Sequence, residues 1–375
     1  MNKIIPYSKQ SIDSSDIKSV VKVLKSSHLA QGPEVIKFEK KLSNFVKANY
    51  AVSFNSGSSA LHAACYALNV KKNDIVWTSP ISFVASANCA LYCGAKINFI
   101  DIDINTFNLD VDALEKKLKI SKAPKVLIPV HLAGNPCDMQ KIYHLSKKYN
   151  FKIIEDASHA LGSEYQKKKI GSCKFSHITV FSFHPVKTIT TGEGGAAVCN
   201  NYKVYNKLKS FSSHGIVKKL KNEVLVNDQK FLGYNYRLNE MSGALGISQL
   251  KKIDQYVKFR NKIARLYINK IKKEKLNINI QQITKNSKSS YHLFIIRVKN
   301  KVKLLKQFTK NNFYTPTHYM PIYKNSFYKK FKFDKKNFFN SEKYYKEAIS
   351  LPIFYGIKFK NIEKIIKIIK KNEKC

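Results

Sequence analysis

Short apolar runs and helix-like segments alternate between residues 50 and 200 of the chain. Apolar runs of four to six residues are typical of buried β-strands. When helices separate such strands, the pattern favours a mostly parallel sheet covered on both faces. The predicted strands are Ala51–Asn55, Asp74–Thr78, Lys96–Ile100, Lys125–Val130, Phe151–Ile154, Ile178–Phe183 and Ala196–Cys199.

The pattern changes in the last third of the chain. We expect one or two long helices from Asn239 to about Ile271, a strand over Tyr291–Val298, and a last helix over Ile362–Lys371. The sequence therefore predicts a large α/β domain in residues 1–250 and a smaller C-terminal α+β domain in residues 251–375. Further predicted helices are Ser58–Leu68, Phe83–Cys93, Val111–Leu118 with Asp110 as N-cap, Met139–Lys148 and Val302–Asn311.

The net charge of +42 over 375 residues allows two interpretations. It can indicate a nucleic-acid or anionic-membrane partner, or a lysine-rich surface without such a partner. The densest basic stretches, Lys301–Lys310 and Lys358–Lys374, carry apolar residues at helical spacing, as surface helices do. We therefore expect neither nucleic acid nor membrane as a partner, although the charge should favour anionic small molecules.

Cysteine usage and the N-terminal segment bear on the compartment. The seven cysteines are irregularly spaced, and no pair is followed by histidines at zinc-binding spacing. No long apolar run marks a signal peptide or a membrane span. We expect a cytoplasmic protein with buried free thiols and no metal site.

Polar residues directly after predicted strands are candidates for ligand binding, because open α/β sheets bind ligands beyond the carboxyl ends of their strands. Ser56–Ser59 joins a strand to a helix and could bind phosphate, or could be an ordinary serine-capped turn. Asp156 follows another strand. Its carboxylate could hold a metal, a ribose or a protonated ring nitrogen, or could cap a helix.

Lys187 is the only lysine or arginine between Lys174 and Lys203 in a chain otherwise rich in lysine. An amine in an apolar setting loses its charge easily and becomes a nucleophile for a Schiff base. The alternative is a surface lysine in a turn. The loop Gly233–Glu240 is dense in polar and aromatic residues, which is typical of a ligand contact, a subunit contact or a helix-capping loop.

A phosphate cradle, a carboxylate and a Schiff-base lysine are the groups that pyridoxal 5'-phosphate (PLP) requires. The carboxylate would keep the pyridine nitrogen protonated, so that the ring can accept electrons. The four segments considered together therefore predict a PLP enzyme with Lys187 as its cofactor lysine.

Several segments of the sequence resemble one enzyme family over residues 7–354. The chain is similar to the sugar aminotransferases of the DegT/DnrJ/EryC1/StrS family, which have the fold of type I PLP-dependent transferases. The segments that carry the resemblance are TSPISFVASAN, DASHALGSEYQKKKIG, VFSFHPVKTITTGEGGA, SSHG, NYRLNEMSGALGISQLKK and HYMPIY.

The resemblance implies a role for each of several residues. Lys187 would bond to the cofactor, Asp156 would pair with its pyridine nitrogen, and Phe83 would stack on its ring. His159 would lie beside the ring hydroxyl, and Asn235 would reach the cofactor phosphate of a partner subunit in a homodimer. The cofactor phosphate would contact Gly57, Ser58 and Ser182. The sugar nucleotide would contact Tyr7, His28, Leu29, Ala30, Thr317, His318, Tyr319 and Met320.

The resemblance also implies the substrates: L-glutamate as amino donor, 2-oxoglutarate as its product, and a UDP-linked 4-keto sugar as acceptor. Relatives often have Thr before the Gln31-Gly32 pair, where this chain has Leu29-Ala30, so another nucleotide 4-keto sugar stays an alternative. The family's dehydratase branch has His in place of the lysine, and Lys187 disfavours it. A basic nucleic-acid-binding protein would need a recognition motif, which the sequence lacks.

Overall fold

The computed structural model describes residues 4–221 and 224–373. The strands are β1 (Tyr50–Phe54), β2 (Ile75–Thr78), β3 (Lys96–Phe99), β4 (Val126–Ile128), β5 (Lys152–Asp156), β6 (Glu164–Tyr165), β7 (Lys168–Lys169), β8 (Ile178–Ser182), β9 (Gly195–Cys199), β10 (Ile216–Lys221), β11 (Val224–Gln229), β12 (Asn279–Ile280), β13 (Ser287–Lys288), β14 (Phe294–Arg297) and β15 (Ala348–Leu351). The α-helices are α1 (Ser14–Leu24), α2 (Pro33–Val46), α3 (Gly57–Ala67), α4 (Ala85–Tyr92), α5 (Val111–Ile120), α6 (Met139–Tyr149), α7 (Tyr202–Phe211), α8 (Glu240–Leu250), α9 (Ile253–Lys273), α10 (Lys301–Lys310), α11 (Phe339–Glu347) and α12 (Phe359–Glu373).

A seven-stranded sheet lies at the centre, in the order β1-β9-β8-β5-β4-β2-β3. The five strands from β8 to β3 are parallel, whereas β9 runs antiparallel to both β1 and β8. Each strand lies within two residues of its predicted bounds. The predicted α/β fold with a mostly parallel sheet is therefore confirmed.

Both faces of this sheet are buried, which explains why its strands are continuously apolar. On one face Trp77, Leu127 and Phe181 pack against α2, α5 and α6. On the other face Val76 and Val180 pack against α3 and α4, whose inner surfaces consist mainly of alanine. Small side chains on these two helices let their backbones approach the sheet closely.

The C-terminal part forms a second sheet, β12-β14-β15, with its own apolar core under α9, α10 and α12. The predicted domain boundary near residue 250 falls between α8 and α9, and it stays a prediction. The start of the chain was predicted to belong to the large domain. However, Ile5 forms a β-bridge with Phe313 and packs against the apolar core of the C-terminal part.

The segment predicted as one or two long helices forms two, α8 and α9. The β10–β11 hairpin was not predicted, since the sequence of β10 is rich in lysine and β11 is mostly exposed, so that neither strand shows a period-two apolar pattern. In the part of the chain that is described, no helix is long and apolar enough to cross a membrane. Six of the seven cysteines are free thiols there, and the seventh, Cys375, lies outside the described residues.

Candidate active site

A cavity of about 650 Å³ opens at the carboxyl edge of the parallel strands. The sheet order brings the ends of β5 and β8 side by side, which places Asp156 and Ser182 at its floor. Ten of the sixteen residues predicted for the site line this cavity. They are Tyr7, Gly57, Ser58, Phe83, Asp156, His159, Ser182, Lys187, His318 and Tyr319.

One wall of the cavity is the N-terminus of α3. Ser56 caps this helix by accepting a hydrogen bond from the Ser59 amide at 3.1 Å. The amides of Gly57 and Ser58 precede the first intrahelical donor, so they remain available to an anion. The serine cap is therefore present, and because the two amides belong to residues that line the cavity, phosphate binding by this segment stays a prediction.

Close packing restricts the residue types in this wall. A Cβ on Gly57 would lie 2.9 Å from Ser182 Cβ, and a Cβ on Gly195 would lie 2.5 Å from the Ser56 carbonyl group. Real Cβ atoms do not approach other atoms so closely, and glycine is therefore needed at both positions. The backbone of the turn is therefore packed closely against β9 and β8.

Asp156 ends β5 and is buried. Its Oδ2 accepts a 2.6 Å hydrogen bond from Ser86 Oγ on α4, and its Oδ1 accepts one from the Ser158 amide at 3.1 Å. Only Oδ1 of Asp156 therefore caps the following turn, and Oδ2 bonds to a different element. The carboxylate is held in a fixed orientation at the cavity floor, as a group that pairs with a cationic ligand atom must be.

Lys187 lies in the turn between β8 and β9, and its amide donates to the His184 carbonyl at 2.9 Å. Burial lowers the pKa of its ammonium group to about 8, while the nearby Asp156 carboxylate opposes that shift. An amine with this pKa is about 9% neutral at pH 7 and about half neutral at pH 8, which makes it a usable nucleophile. The surface-lysine alternative does not fit this environment.

Three aromatic rings and two imidazoles line the other side of the cavity. His159 Nε2 lies 3.1 Å from the Tyr319 hydroxyl, and the Tyr7 ring lies 4.5 Å from that of His318. The Phe83 ring is more than half exposed and lies 6.2 Å from the Tyr319 ring. An exposed aromatic ring at a cavity mouth offers a flat surface for stacking.

Six predicted site residues do not line this cavity. Thr317 is turned away, and its hydroxyl donates to the Ala348 carbonyl at 3.0 Å. Met320 lies outside the cavity with its side chain 37% exposed. His28, Leu29, Ala30 and Asn235 are all exposed on the surface of the chain.

The exposed residues share one region of that surface. The Glu240 amide donates to the Leu29 carbonyl at 3.1 Å, and Gln31 Nε2 donates to the Leu238 carbonyl. The segment 28–31 therefore lies beside the loop that carries Asn235. Within one chain, this surface does not contribute to the cavity.

Sequence reasoning missed several cavity residues. His184 and Glu193 flank Lys187, and their side chains lie 3.8 Å apart. Their position in the Lys187 segment was the only signal that could have found them. Ser86 had no such signal, because only the packing of α4 against β5 brings it to Asp156. The remaining missed positions are Asn55, Leu61, Ser82, Ala85, Val130, Ser158 and Val186, whereas Ser56 and Ser59 belong to the segment that was predicted to bind phosphate.

These groups fit PLP in kind and in placement. The free amides of α3 suit a phosphate, Asp156 suits a protonated ring nitrogen, and Lys187 suits an aldehyde. The close approach that Gly57 and Gly195 allow is the independent sign of a built anion cradle. Among the described residues, no cluster of three or more His, Cys, Asp or Glu side chains could hold a metal ion.

The family profile of the DegT/DnrJ/EryC1/StrS aminotransferases matches residues 10–370. The chain belongs to this family. The predicted fold, the aminotransferase class and the PLP cofactor are therefore confirmed.

Individual relatives agree with this assignment. The chain is 42% identical to the UDP-4-amino-4,6-dideoxy-N-acetyl-β-L-altrosamine transaminase of Campylobacter jejuni, over 96% of this chain and 94% of that protein. A solved Helicobacter pylori aminotransferase of pseudaminic acid biosynthesis is similar with a TM-score of 0.91 and 35% identity, covering 98% and 99% of the two chains. The PLP form of a Streptococcus pneumoniae protein described as a sugar aminotransferase is similar with a TM-score of 0.91 and 27% identity, covering 99% of each chain.

Proposed function

We propose that the protein transfers the amino group of L-glutamate to C4 of UDP-2-acetamido-2,6-dideoxy-β-L-arabino-hex-4-ulose. The product would be UDP-4-amino-4,6-dideoxy-N-acetyl-β-L-altrosamine, for pseudaminic acid biosynthesis in the cytoplasm. The observation that carries this proposal is the 42% identity to the Campylobacter jejuni transaminase, which extends over 364 residues. Identity of this kind over whole chains supports a common substrate more strongly than the shared fold does.

The chemistry divides between the cofactor and the chain. When bound, PLP supplies an aldehyde that reacts with amines and a ring that withdraws electrons from the adjacent carbon. Asp156 Oδ would hold the proton of the ring nitrogen, and Ser86 would hold Asp156 in place. The amides of Gly57 and Ser58, with the hydroxyl of Ser182, would anchor the phosphate.

Lys187 would act in both half-reactions. Its Nζ, displaced by the incoming amine, would accept a proton from the substrate carbon and return it to the neighbouring carbon of the cofactor. A pKa of about 8 suits an amine that must both take and give a proton near neutral pH. In the first half-reaction one water molecule would be taken up, and its oxygen would become the keto oxygen of the departing 2-oxoglutarate. In the second half-reaction the keto oxygen of the sugar would leave as water.

The sugar nucleotide would lie at the open side of the cavity, near Tyr7, His318 and Tyr319. Thr317 and Met320 belong to the same segment but do not line the cavity, so we propose that they support its conformation. The net charge of +42 would favour the approach of an anionic diphosphate.

We further propose that a homodimer completes the site. Asn235 and the segment His28–Ala30 are exposed in one chain and lie together, so they would contact a cofactor and substrate held by the partner subunit. A mixed dimer tests this arrangement. In a dimer of one Lys187→Ala chain and one Asn235→Ala chain, action across the interface leaves one site intact, and activity returns. If Asn235 acted within its own chain, both sites would be defective.

The substrate assignment is tested with a panel of nucleotide 4-keto sugars and L-glutamate, with the amino product identified by mass and NMR. The proposal requires the β-L-arabino sugar to give the highest kcat/KM. A higher value with another nucleotide 4-keto sugar would support the alternative substrate, and no amino product from any sugar would contradict the function itself. Lys187→Ala is the control, which should show neither turnover nor the visible absorption band that depends on the bond between Lys187 and the cofactor.

A further inference from the structure

A buried loop next to the cavity is held by several hydrogen bonds from one side chain, that of Asn108. Leu132–Gly134 forms a 3-10 turn in which Ala133 has a left-handed backbone with φ of 62°. Asn108 is buried, and its Oδ1 accepts a hydrogen bond from the Leu132 amide at 3.0 Å. Its Nδ2 donates to the carbonyls of Asn135 and Pro136 at 2.9 and 3.1 Å. Asn108 therefore holds both ends of this turn.

The turn directs one backbone amide at His159. The Ala133 N–H donates to His159 Nδ1 at 3.3 Å. A backbone amide can only donate, so Nδ1 must be the unprotonated nitrogen of the ring. Burial lowers the pKa of His159 well below its ordinary value, and the charge of Lys187 adds to this effect. The ring is thus neutral, and its single proton is on Nε2.

The direction of the next hydrogen bond follows. His159 Nε2 lies 3.1 Å from the Tyr319 hydroxyl, so Tyr319 must accept the proton that His159 donates. The hydroxyl hydrogen of Tyr319 then has to point elsewhere, and Tyr319 lines the cavity. Burial raises the pKa of Tyr319, which keeps this hydrogen on its oxygen.

We propose that the Ala133 amide fixes His159 as its Nε2–H tautomer, so that the Tyr319 hydroxyl donates a hydrogen bond to an oxygen of the bound sugar. Asn108 is a positioning residue, because it acts only through the turn that presents Ala133. Tyr319 selects ligands with an acceptor oxygen, such as a carbonyl, at that point of the cavity. The choice of a sugar as ligand rests on the proposed function, whereas the tautomer does not.

The tautomer is tested in the cofactor-free protein by the ¹⁵N chemical shifts of its imidazole nitrogens, with histidine labelled uniformly. His159→Gln identifies the signals that belong to His159. We expect an unprotonated Nδ1 and a protonated Nε2 that do not titrate between about pH 6 and 9. A protonated Nδ1, or a titration in that range, would overturn the proposal whatever the enzyme's substrate is.

The donor role is tested by Tyr319→Phe, which removes the hydroxyl and keeps the ring. We expect kcat/KM for the keto sugar to fall about tenfold, the effect of one lost hydrogen bond. The rate with L-glutamate alone should fall less, since that half-reaction involves no sugar. Tyr355→Phe is the matched control, because its hydroxyl contacts Gln255 outside the cavity. Equal losses with both substrates, or no loss, would contradict the role.

The positioning role is tested by Asn108→Ser, which shortens the side chain and introduces no charge. In the folded variant, the His159 signals should shift towards a mixture of both tautomers. Unchanged signals would show that the turn keeps its place without Asn108. If this variant does not fold, Tyr319→Phe and the wild-type shifts still decide the main proposal. If the wild type aminates no sugar, the proposed function fails, while the tautomer result stands.

Discussion

The amine of Lys187 should capture PLP over a pH range that its surroundings set. Only the neutral amine attacks an aldehyde, and burial lowers the pKa of Lys187 to about 8 from the ordinary value of 10.5. At pH 7 the neutral fraction is then about 9%, against about 0.03% for an exposed lysine, which is an advantage of about 300-fold. Above pH 10.5 both amines are neutral, so the advantage should disappear.

The measurement follows the visible absorption band that forms when cofactor-free protein is mixed with PLP. The cofactor also titrates, so each rate is divided by the rate of Nα-acetyl-lysine with PLP at the same pH. We expect this ratio to fall about 300-fold between neutral and strongly alkaline pH. A ratio that does not change with pH would refute the reasoning, because Lys187 would then titrate like an exposed lysine.

A substitution at Asp156 tests the cause of the shift. The Asp156 carboxylate stabilises the ammonium form and so opposes the effect of burial. Asp156→Asn should therefore move the capture curve to lower pH. Asp254→Asn is the control, because Asp254 is an exposed surface carboxylate beside Lys169, and it should leave the curve in place. Movement of the Asp156→Asn curve to higher pH would mean that the sign of this interaction is wrong.

Two further predictions concern the support of the cofactor. Ser86→Ala removes the donor to Asp156 Oδ2 and should lower the unfolding free energy by about 1–3 kcal/mol, measured by urea titration. The kcat should fall as well. An unchanged kcat would show that Ser86 has no part in the reaction. Gly195→Ala would place a Cβ 2.5 Å from the Ser56 carbonyl group, so the cradle must shift. PLP affinity, measured by fluorescence quenching, should fall about tenfold or more, because the phosphate amides lose their alignment; wild-type affinity would show that the turn has room to move.

The strands and helices that form the site could be predicted from the sequence. Every strand of the central sheet is a mainly apolar run, because the sheet is covered on both faces and most of its side chains are buried. The lack of other lysines and arginines around Lys187 likewise indicated a buried amine, because a segment that avoids water carries few charges. Asp110 was correctly predicted as an N-cap, since that hydrogen bond joins residues close in sequence.

Contacts between distant segments could not be predicted in this way. Ser86 meets Asp156 across 70 residues, and Ala133 meets His159 through a turn that Asn108 holds. Neither pair produces a repeating pattern in the sequence, because each consists of two isolated polar groups. Only the packing of the elements that carry them brings the two groups together. Thr317 and Met320 show the same limit, since their neighbours His318 and Tyr319 face the cavity and they do not.

The sequence by itself determined the sheet and the family, and it predicted Lys187 as the cofactor lysine, because these depend on local patterns of apolar, small and charged residues. The tertiary structure decided which partners the ring nitrogens of His159 have, which residues of one chain reach its own cavity, and that Asn235 and His28–Ala30 do not. The physical reason is that hydrogen-bond direction and burial depend on partners brought together only by folding.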